Sequence, residues 1–303
     1  MPSANNAAEP FGFLNIDKPL GLTSHDVVSK VRRAFGIRRV GHAGTLDPLA
    51  TGVLVVCVGT ATRLSEYAMT TVKAYRADVQ LGISTTTYDA EGEITSQQDT
   101  THITHAEIEQ ILPQFIGEIQ QVPPVYSAIK KGGKKLYELA RAGETVEIEP
   151  RAVKIDALTI SAYDPTSSRF VLDVVCGSGT YIRSLAHDIG ESLGVGAHLA
   201  GLVRTQVGNF HLEDAIALEN ITETDIPHAF LTSVADGLRG LPSTTLTDQQ
   251  LTDVRHGRRF ARPDDTVDLG TEVLAYSENG EFIAVLKAMD GTWKPHKVFS
   301  SAS

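Results

Sequence analysis

Apolar residues recur along this chain at two spacings, every second position or every third and fourth, and the changes between them mark its elements. Residues 13–16 read as a short strand running into a turn, Asp17-Lys18-Pro19-Leu20-Gly21. Val27, Val28, Val31 and Phe35 then share one helical face; Thr23 or Ser24 can cap that helix and Gly36 can end it. A glycine-punctuated loop over 41–48 precedes a fully apolar strand at 53–58. From 74 to 83 the pattern alternates, with Tyr75, Ala77, Val79, Leu81 and Ile83 on one side and Arg76, Asp78 and Gln80 on the other. That alternation predicts a half-buried strand. Thr104 and Glu107 form a capping-box pattern ahead of Ile108, Ile111, Leu112, Phe115 and Ile116, a helix that Pro113 interrupts.

Residues 120–150 break the pattern. Pro123-Pro124, the cluster Lys130-Lys131-Gly132-Gly133-Lys134-Lys135 and a short helix ending at Gly143 read as an excursion from the core. Strands follow around 153–162 and 170–176, and Gly177-Ser178-Gly179-Thr180 opens a helix. Its buried face is Ile182, Leu185, Ala186, Ile189 and Leu193, Gly194 stops it, and 198–207 is strand-like. Residues 241–303 carry one short helix, 247–256, and strands near 272–276 and 282–287. Strands and helices interleave irregularly and without an internal repeat, which favours an α+β, mixed-sheet core over a strict βαβ array.

Composition narrows the classes. A chain of 303 residues can bury a self-sufficient core, and 42% hydrophobic residues exclude disorder for its bulk. The apolar run at 53–58 is far short of the roughly 20 residues a membrane helix needs. Residues 1–10 lack the basic-then-apolar layout of a signal peptide, and two cysteines exclude a disulfide scaffold. A soluble cytoplasmic protein is expected. The net charge of −10 argues against a nucleic-acid partner only as an average. Residues 11–80 hold nine Lys/Arg against five Asp/Glu and 126–154 seven against four; 87–121 hold seven acids and 209–236 six, with no Lys or Arg in either. Attraction to phosphate depends on the face presented, so charge leaves the partner open.

Chemistry concentrates in the loop around Asp47. Pro48 disfavours helical backbone there, and Gly41 and Gly44 free the loop to approach a ligand. A carboxylate beside His42 and Thr45 is placed as nucleophile or base; an aspartate bonding its own backbone in a turn gives the same pattern. No Gly-Lys-Ser/Thr follows the glycines, so this is not a Walker-type phosphate cradle. Cys57 and Cys176 sit inside apolar strands and the ten histidines show no ligand spacing, so no metal site is expected. Arg183 reads either as a surface arginine or as the partner of a site carboxylate. Tyr75 reads as a core tyrosine, or as a platform for a flat ligand beside a cleft.

In order along residues 11–210, about two thirds of the chain, stand Asn15-Ile16-Asp17-Lys18-Pro19, Gly41-His42-Ala43-Gly44-Thr45-Leu46-Asp47-Pro48-Leu49-Ala50-Thr51-Gly52 and Tyr75-Arg76. Pro123-Pro124-Val125-Tyr126-Ser127-Ala128, Gly179-Thr180-Tyr181-Ile182-Arg183 and Arg204 with Gly208 and Phe210 complete the series. The series resembles the bacterial tRNA pseudouridine synthase B family, which isomerises the uridine at position 55 of the TΨC loop. The resemblance implies a mixed, largely antiparallel sheet flanked by helices over 11–235, with an inserted RNA-clamping thumb at 120–150. It further implies a small β-rich RNA-binding domain of the PUA type at 241–303; the polar residues 1–10 are themselves expected to form a disordered N-terminus.

By the same resemblance Asp47 is the catalytic carboxylate, and His42 helps displace the RNA loop's own stacking. Tyr75 stacks on the extracted uracil, Tyr181 and Leu202 line its pocket, and Arg183 pairs with Asp47. Lys18, Lys130, Lys131, Lys134, Lys135 and Arg204 are expected to contact RNA. No cofactor and no metal are implied. The expected partner is the TΨC stem-loop of tRNA, bound by a monomer away from any membrane. Val203 departs from the many relatives that carry a second basic residue there, which implies affinity resting on shape and stacking. The alternative is a catalytically silent tRNA-binding or folding factor on the same scaffold, against which intact Asp47, Tyr75 and Arg183 argue. A hydrolase with an aspartate nucleophile is disfavoured by Leu49, where a second carboxylate would stand.

Overall fold

The computed structural model describes residues 10–127, 130–131, 133–135, 148–221, 230–262 and 267–299. In chain order its first strands are β1 (Gly12–Lys18), β2 (Val40–His42), β3 (Ala50–Val58), β4 (Lys73–Leu81), β5 (Ile83–Thr85), β6 (Ile94–Gln97) and β7 (Gly117–Gln121). Then come β8 (Lys130–Lys131), β9 (Lys134–Lys135), β10 (Arg151–Asp164), β11 (Arg169–Cys176), β12 (Ala197–Val207), β13 (Phe210–His211) and β14 (Ile216–Ala217). The last five are β15 (Ser243–Leu246), β16 (Phe260–Ala261), β17 (Glu272–Ser277), β18 (Phe282–Met289) and β19 (Thr292–Val298).

The main sheet runs β14-β1-β3-β12-β4-β11-β10-β7, with β2 added to β3 and β13 to β12. Only β1/β14 and β3/β12 are parallel, so the sheet is mixed and largely antiparallel. The valine run of β3 sits inside it and is buried on both faces. Helices α1 (Ser24–Phe35), α2 (Ser65–Met69), α3 (His105–Ile111) and α4 (Ile182–Ser192) flank the strands. Local chemistry sets the helix ends as expected: Thr23 and Asp26 form a capping box on α1, and Gly36 closes it with φ +63°. Thr104 and Glu107 cap α3, which passes at Leu112-Pro113 into a short 3₁₀ turn. Among the described residues no helix is long and apolar enough to cross a membrane.

Register places the site. The parallel pairing Leu202↔Ala50, Val203↔Thr51 and Arg204↔Gly52 brings the end of the Asp47 loop onto β12. Gly52 is required there, because with φ +94° a Cβ would lie 2.3 Å from the Arg204 carbonyl. Antiparallel pairing then sets Tyr75 opposite Arg204 and Lys73 opposite Cys176. Segments distant in sequence thus meet on four adjacent strands, β3, β12, β4 and β11.

Several elements differ from the expectation. β1 continues through Asp17 and Lys18, so the turn starts later. The alternating strand stops at Leu81, because Gly82 adopts φ +81° and Ile83 opens a separate two-stranded sheet with β6. The described part of the 120–150 excursion includes the β8–β9 backbone hairpin that carries Lys130, Lys131, Lys134 and Lys135. The helix expected to end at Gly143 and the N-terminal residues 1–9 lie outside the described residues.

The C-terminal part forms its own sheet, β15-β17-β18-β19-β16. It does not bury all of its apolar surface internally. Leu274, Val285 and Phe299 join Phe13, Val53, Val55 and Cys57 of the main sheet in one core cluster.

Candidate active site

The loop that carries Asp47 is fixed from beneath by side chains whose partners are its own backbone groups. Ser24 Oγ accepts from Leu46 N at 2.8 Å and donates to Leu46 O at 2.9 Å. Arg204 Nε donates to Val53 O at 2.7 Å, Nη2 to Gly44 O at 3.1 Å and Nη1 to Thr45 O at 3.4 Å. Lys18 Nζ donates to Leu22 O at 2.6 Å and Pro19 O at 2.9 Å, and reaches Pro48 O at 3.5 Å. Lys18 is 0% exposed and Arg204 1%. The expected RNA contact of Lys18 is therefore corrected: burial takes it out of reach of a phosphate, and its donors go to carbonyls of the 19–22 turn and Pro48. Arg204 is likewise shielded from a backbone phosphate but lines the cavity described below. That burial also lowers the pKa of each.

Across from the loop, α4 presents Arg183. Its Nη2 lies 3.0 Å from Asp47 Oδ2 and 2.9 Å from Tyr126 O. Its Nη1 lies 3.2 Å from Asp89 Oδ2 and 3.3 Å from Thr87 O. Arg183 and Asp89 are buried, whereas the Asp47 side chain is 43% exposed. One guanidinium thus spans an accessible carboxylate and a buried one, which fixes the direction of the first. Asp89 was not singled out from sequence, since it stands in an acidic stretch that reads as solvated charge.

Asp47, Tyr75, Tyr181, Arg183 and Leu202 converge on one cavity of about 300 Å³, whose wall also includes Lys73 and Arg204. Gln121 holds the Tyr181 backbone at both ends, accepting from its N–H at 2.8 Å and donating to its carbonyl at 3.0 Å. Burial raises the pKa of Tyr75 and Tyr181 above the ordinary phenol range, so both face the cavity as neutral phenols at pH 7. His42 is brought close by the same loop, on β2 opposite Val56, but it does not line the cavity. Burial, and then Arg204, lower its pKa and favour the neutral ring. Cys57 and Cys176 are fully buried thiols, pushed up to about 12 and about 11 by burial. Among the described residues no group of three or more His, Cys, Asp or Glu could hold a metal ion.

Two family models match the chain: TruB family pseudouridylate synthase (N terminal domain) over residues 32–182, and tRNA pseudouridylate synthase B C-terminal domain over 183–229. A tRNA pseudouridine synthase B of Symbiobacterium thermophilum is 48% identical over 260 residues, spanning 85% of this chain and 86% of its own. Its counterpart from Cupriavidus metallidurans is 43% identical over 294 residues, 95% of this chain and 93% of that one. Among solved structures, a Cbf5-Nop10-Gar1 complex matches with a TM-score of 0.75 and 27% identity over 97% of this chain and 85% of that chain. With near-full coverage at this identity, the chain belongs to the tRNA pseudouridine synthase B (TruB) family.

Proposed function

We propose that the chain is an RNA isomerase, a tRNA pseudouridine synthase, that extracts the uridine at position 55 of the TΨC loop and rejoins its base through C5. The observation that carries this reading is the ion pair of Asp47 with Arg183 inside a cavity whose other walls are Tyr75, Tyr181 and Leu202. At about 300 Å³ the space is at the small end for ligand sites and suits one base. Taking a base out of the stack costs a few kcal/mol, and an aromatic platform such as Tyr75 returns about 1–3 kcal/mol of it.

In the reaction the C1′–N1 bond breaks, the uracil turns, and C5 bonds to C1′. The C5 proton then leaves and N1 takes one up, so atoms balance without a co-reactant. Asp47 acts either by adding to uracil C6 or by removing a ribose proton on a glycal-like route. Arg183 aims that carboxylate while Tyr181 and Leu202 hold the ring. His42, on β2 outside the cavity lining, displaces the stacking of the RNA loop. Lys130, Lys131, Lys134 and Lys135 offer cations for phosphate on the 120–150 thumb. Residues 241–303 serve as an RNA-binding domain, where Arg255, Arg258 and Arg259 stand exposed. The enzyme acts as a cytoplasmic monomer on free tRNA.

An unmodified tRNA transcript carrying tritium at uracil C5 tests the reading, because isomerisation must expel that hydrogen. Release of one tritium per tRNA, lost when position 55 is changed, is the expected result. Tight tRNA binding without release would favour a silent RNA-binding factor.

A further inference from the structure

Two cations in the cavity wall, Lys73 and Arg204, have no carboxylate partner among the described residues. Their roles differ. Arg204 is committed to the carbonyls of Val53, Thr45 and Gly44 and meets the Tyr75 hydroxyl. Lys73, 7% exposed, donates from Nζ to Met69 O at 2.6 Å and to Thr71 O at 3.0 Å, at the C-terminal end of α2. An ammonium has three N–H donors, so one has no partner among the described residues.

We infer that Lys73 is a further catalytic residue, whose ammonium stabilises the negative charge that builds on the uracil while it is detached or adducted. The inference rests on the synthase reading above but not on the choice of route. If C1′–N1 cleavage comes first, the electron pair stays on N1 and spreads to O2 and O4. If Asp47 adds to C6, the pair moves to C5 and O4. Either way an anion forms in a cavity that already holds Asp47, with Asp89 just behind it. Arg183 is shared between those two carboxylates, and Arg204 is held in place by its bonds to the Val53, Thr45 and Gly44 carbonyls. Lys73 is the remaining cation in the cavity wall. Removing one preorganised donor of this kind costs about 10²–10³-fold in rate.

Titration separates this role from simple capping of α2. Burial, then Arg204, bring Lys73 down to about 8, with Cys176 opposing. A neutral amine keeps two N–H donors, enough for Met69 O and Thr71 O, but loses the charge. The charged and titratable groups around it are Arg204 on β12, Cys176 on β11, Tyr75 on its own strand, and Asp47, Arg183 and Tyr181 around the cavity. Cys176 and both tyrosines are shifted upward, away from 8. The charged form of Lys73 is therefore present below about pH 8 and lost above it.

Single-turnover tritium release, at saturating tRNA and from about pH 6 to about 9.5, tests the assignment on the wild type, Lys73→Arg and Lys73→Met. The wild-type rate should fall on the alkaline side with a midpoint near 8. Lys73→Arg, whose charge does not titrate there, should lack that limb and run within about tenfold of wild type. Lys73→Met should be about 10²-fold slower at pH 7 with tRNA affinity within about threefold. An alkaline limb unchanged in Lys73→Arg, or a wild-type rate in Lys73→Met, would overturn the inference. No release by wild type at any pH would overturn the synthase reading itself, and the inference with it.

Discussion

The two walls of the cavity are braced by the same residue type in opposite ways. On the loop side, buried Arg204 donates to the carbonyls of Gly44, Thr45 and Val53. On the helix side, buried Arg183 spans the carboxylates of Asp47 and Asp89. A guanidinium on carbonyls holds backbone in place and leaves its charge unanswered by any anion. A guanidinium on carboxylates sets the aim of a reacting group. The first is expected to matter most for stability and the second for turnover.

One conservative exchange on each wall sharpens or breaks that contrast. Arg183→Lys keeps a cation beside Asp89 but cannot hold Asp47, Asp89 and the Tyr126 carbonyl together. Tritium release should drop about 10²-fold, with little change in the thermal midpoint. Arg204→Lys cannot reach all three carbonyls; urea unfolding should show a loss of about 2–4 kcal/mol, with turnover per folded molecule within about tenfold. Two variants that fail in the same way would erase the distinction between the walls.

Smaller effects lie away from the cavity. Truncating the chain near residue 238 would strip Leu274, Val285 and Phe299 from the core they share with Phe13 and Val55, so it cannot isolate RNA binding. Replacing exposed Arg255, Arg258 and Arg259 with Ala leaves that core intact. It should weaken tRNA binding about tenfold at about 0.1 M salt without slowing the bound complex. The smallest effect is expected at Asp188 on α4, whose carboxyl is pushed up to about 6 by burial and then by Glu191. Its folded pKa lies above the unfolded one, so its ionisation costs no stability below about pH 4 and the full amount above about pH 6. Asp188→Asn should raise the thermal midpoint by about 2 °C at pH 7.5 and leave it unchanged near pH 4.

Legibility in the sequence followed the range of the interactions. The ends of α1 and α3 were readable because Thr23, Gly36 and Thr104 act on their own neighbours. The alternating face of β4 and the apolar run of β3 were readable for the same reason. Nothing local in the sequence marks Lys18, Lys73 or Arg204 as buried, because what buries them is long-range: the pairing of β3 with β12 and the return of the Gly44–Pro48 loop over β1. The residues themselves left Arg183 open between surface and site; only the family resemblance tied it to Asp47. In the C-terminal part the pattern does not reveal β15, β16 or β19, β16 because it is two residues long and β19 because Pro295 interrupts its pattern.

The reading as a whole stands on Asp47 as the acting carboxylate. Its most direct test compares wild type and Asp47→Asn for tritium release from C5-labelled tRNA, with tRNA retention measured on the same samples. The expected result is one tritium released per tRNA by wild type and none above background by Asp47→Asn, with binding within about tenfold. Release by Asp47→Asn at a rate near wild type would contradict it.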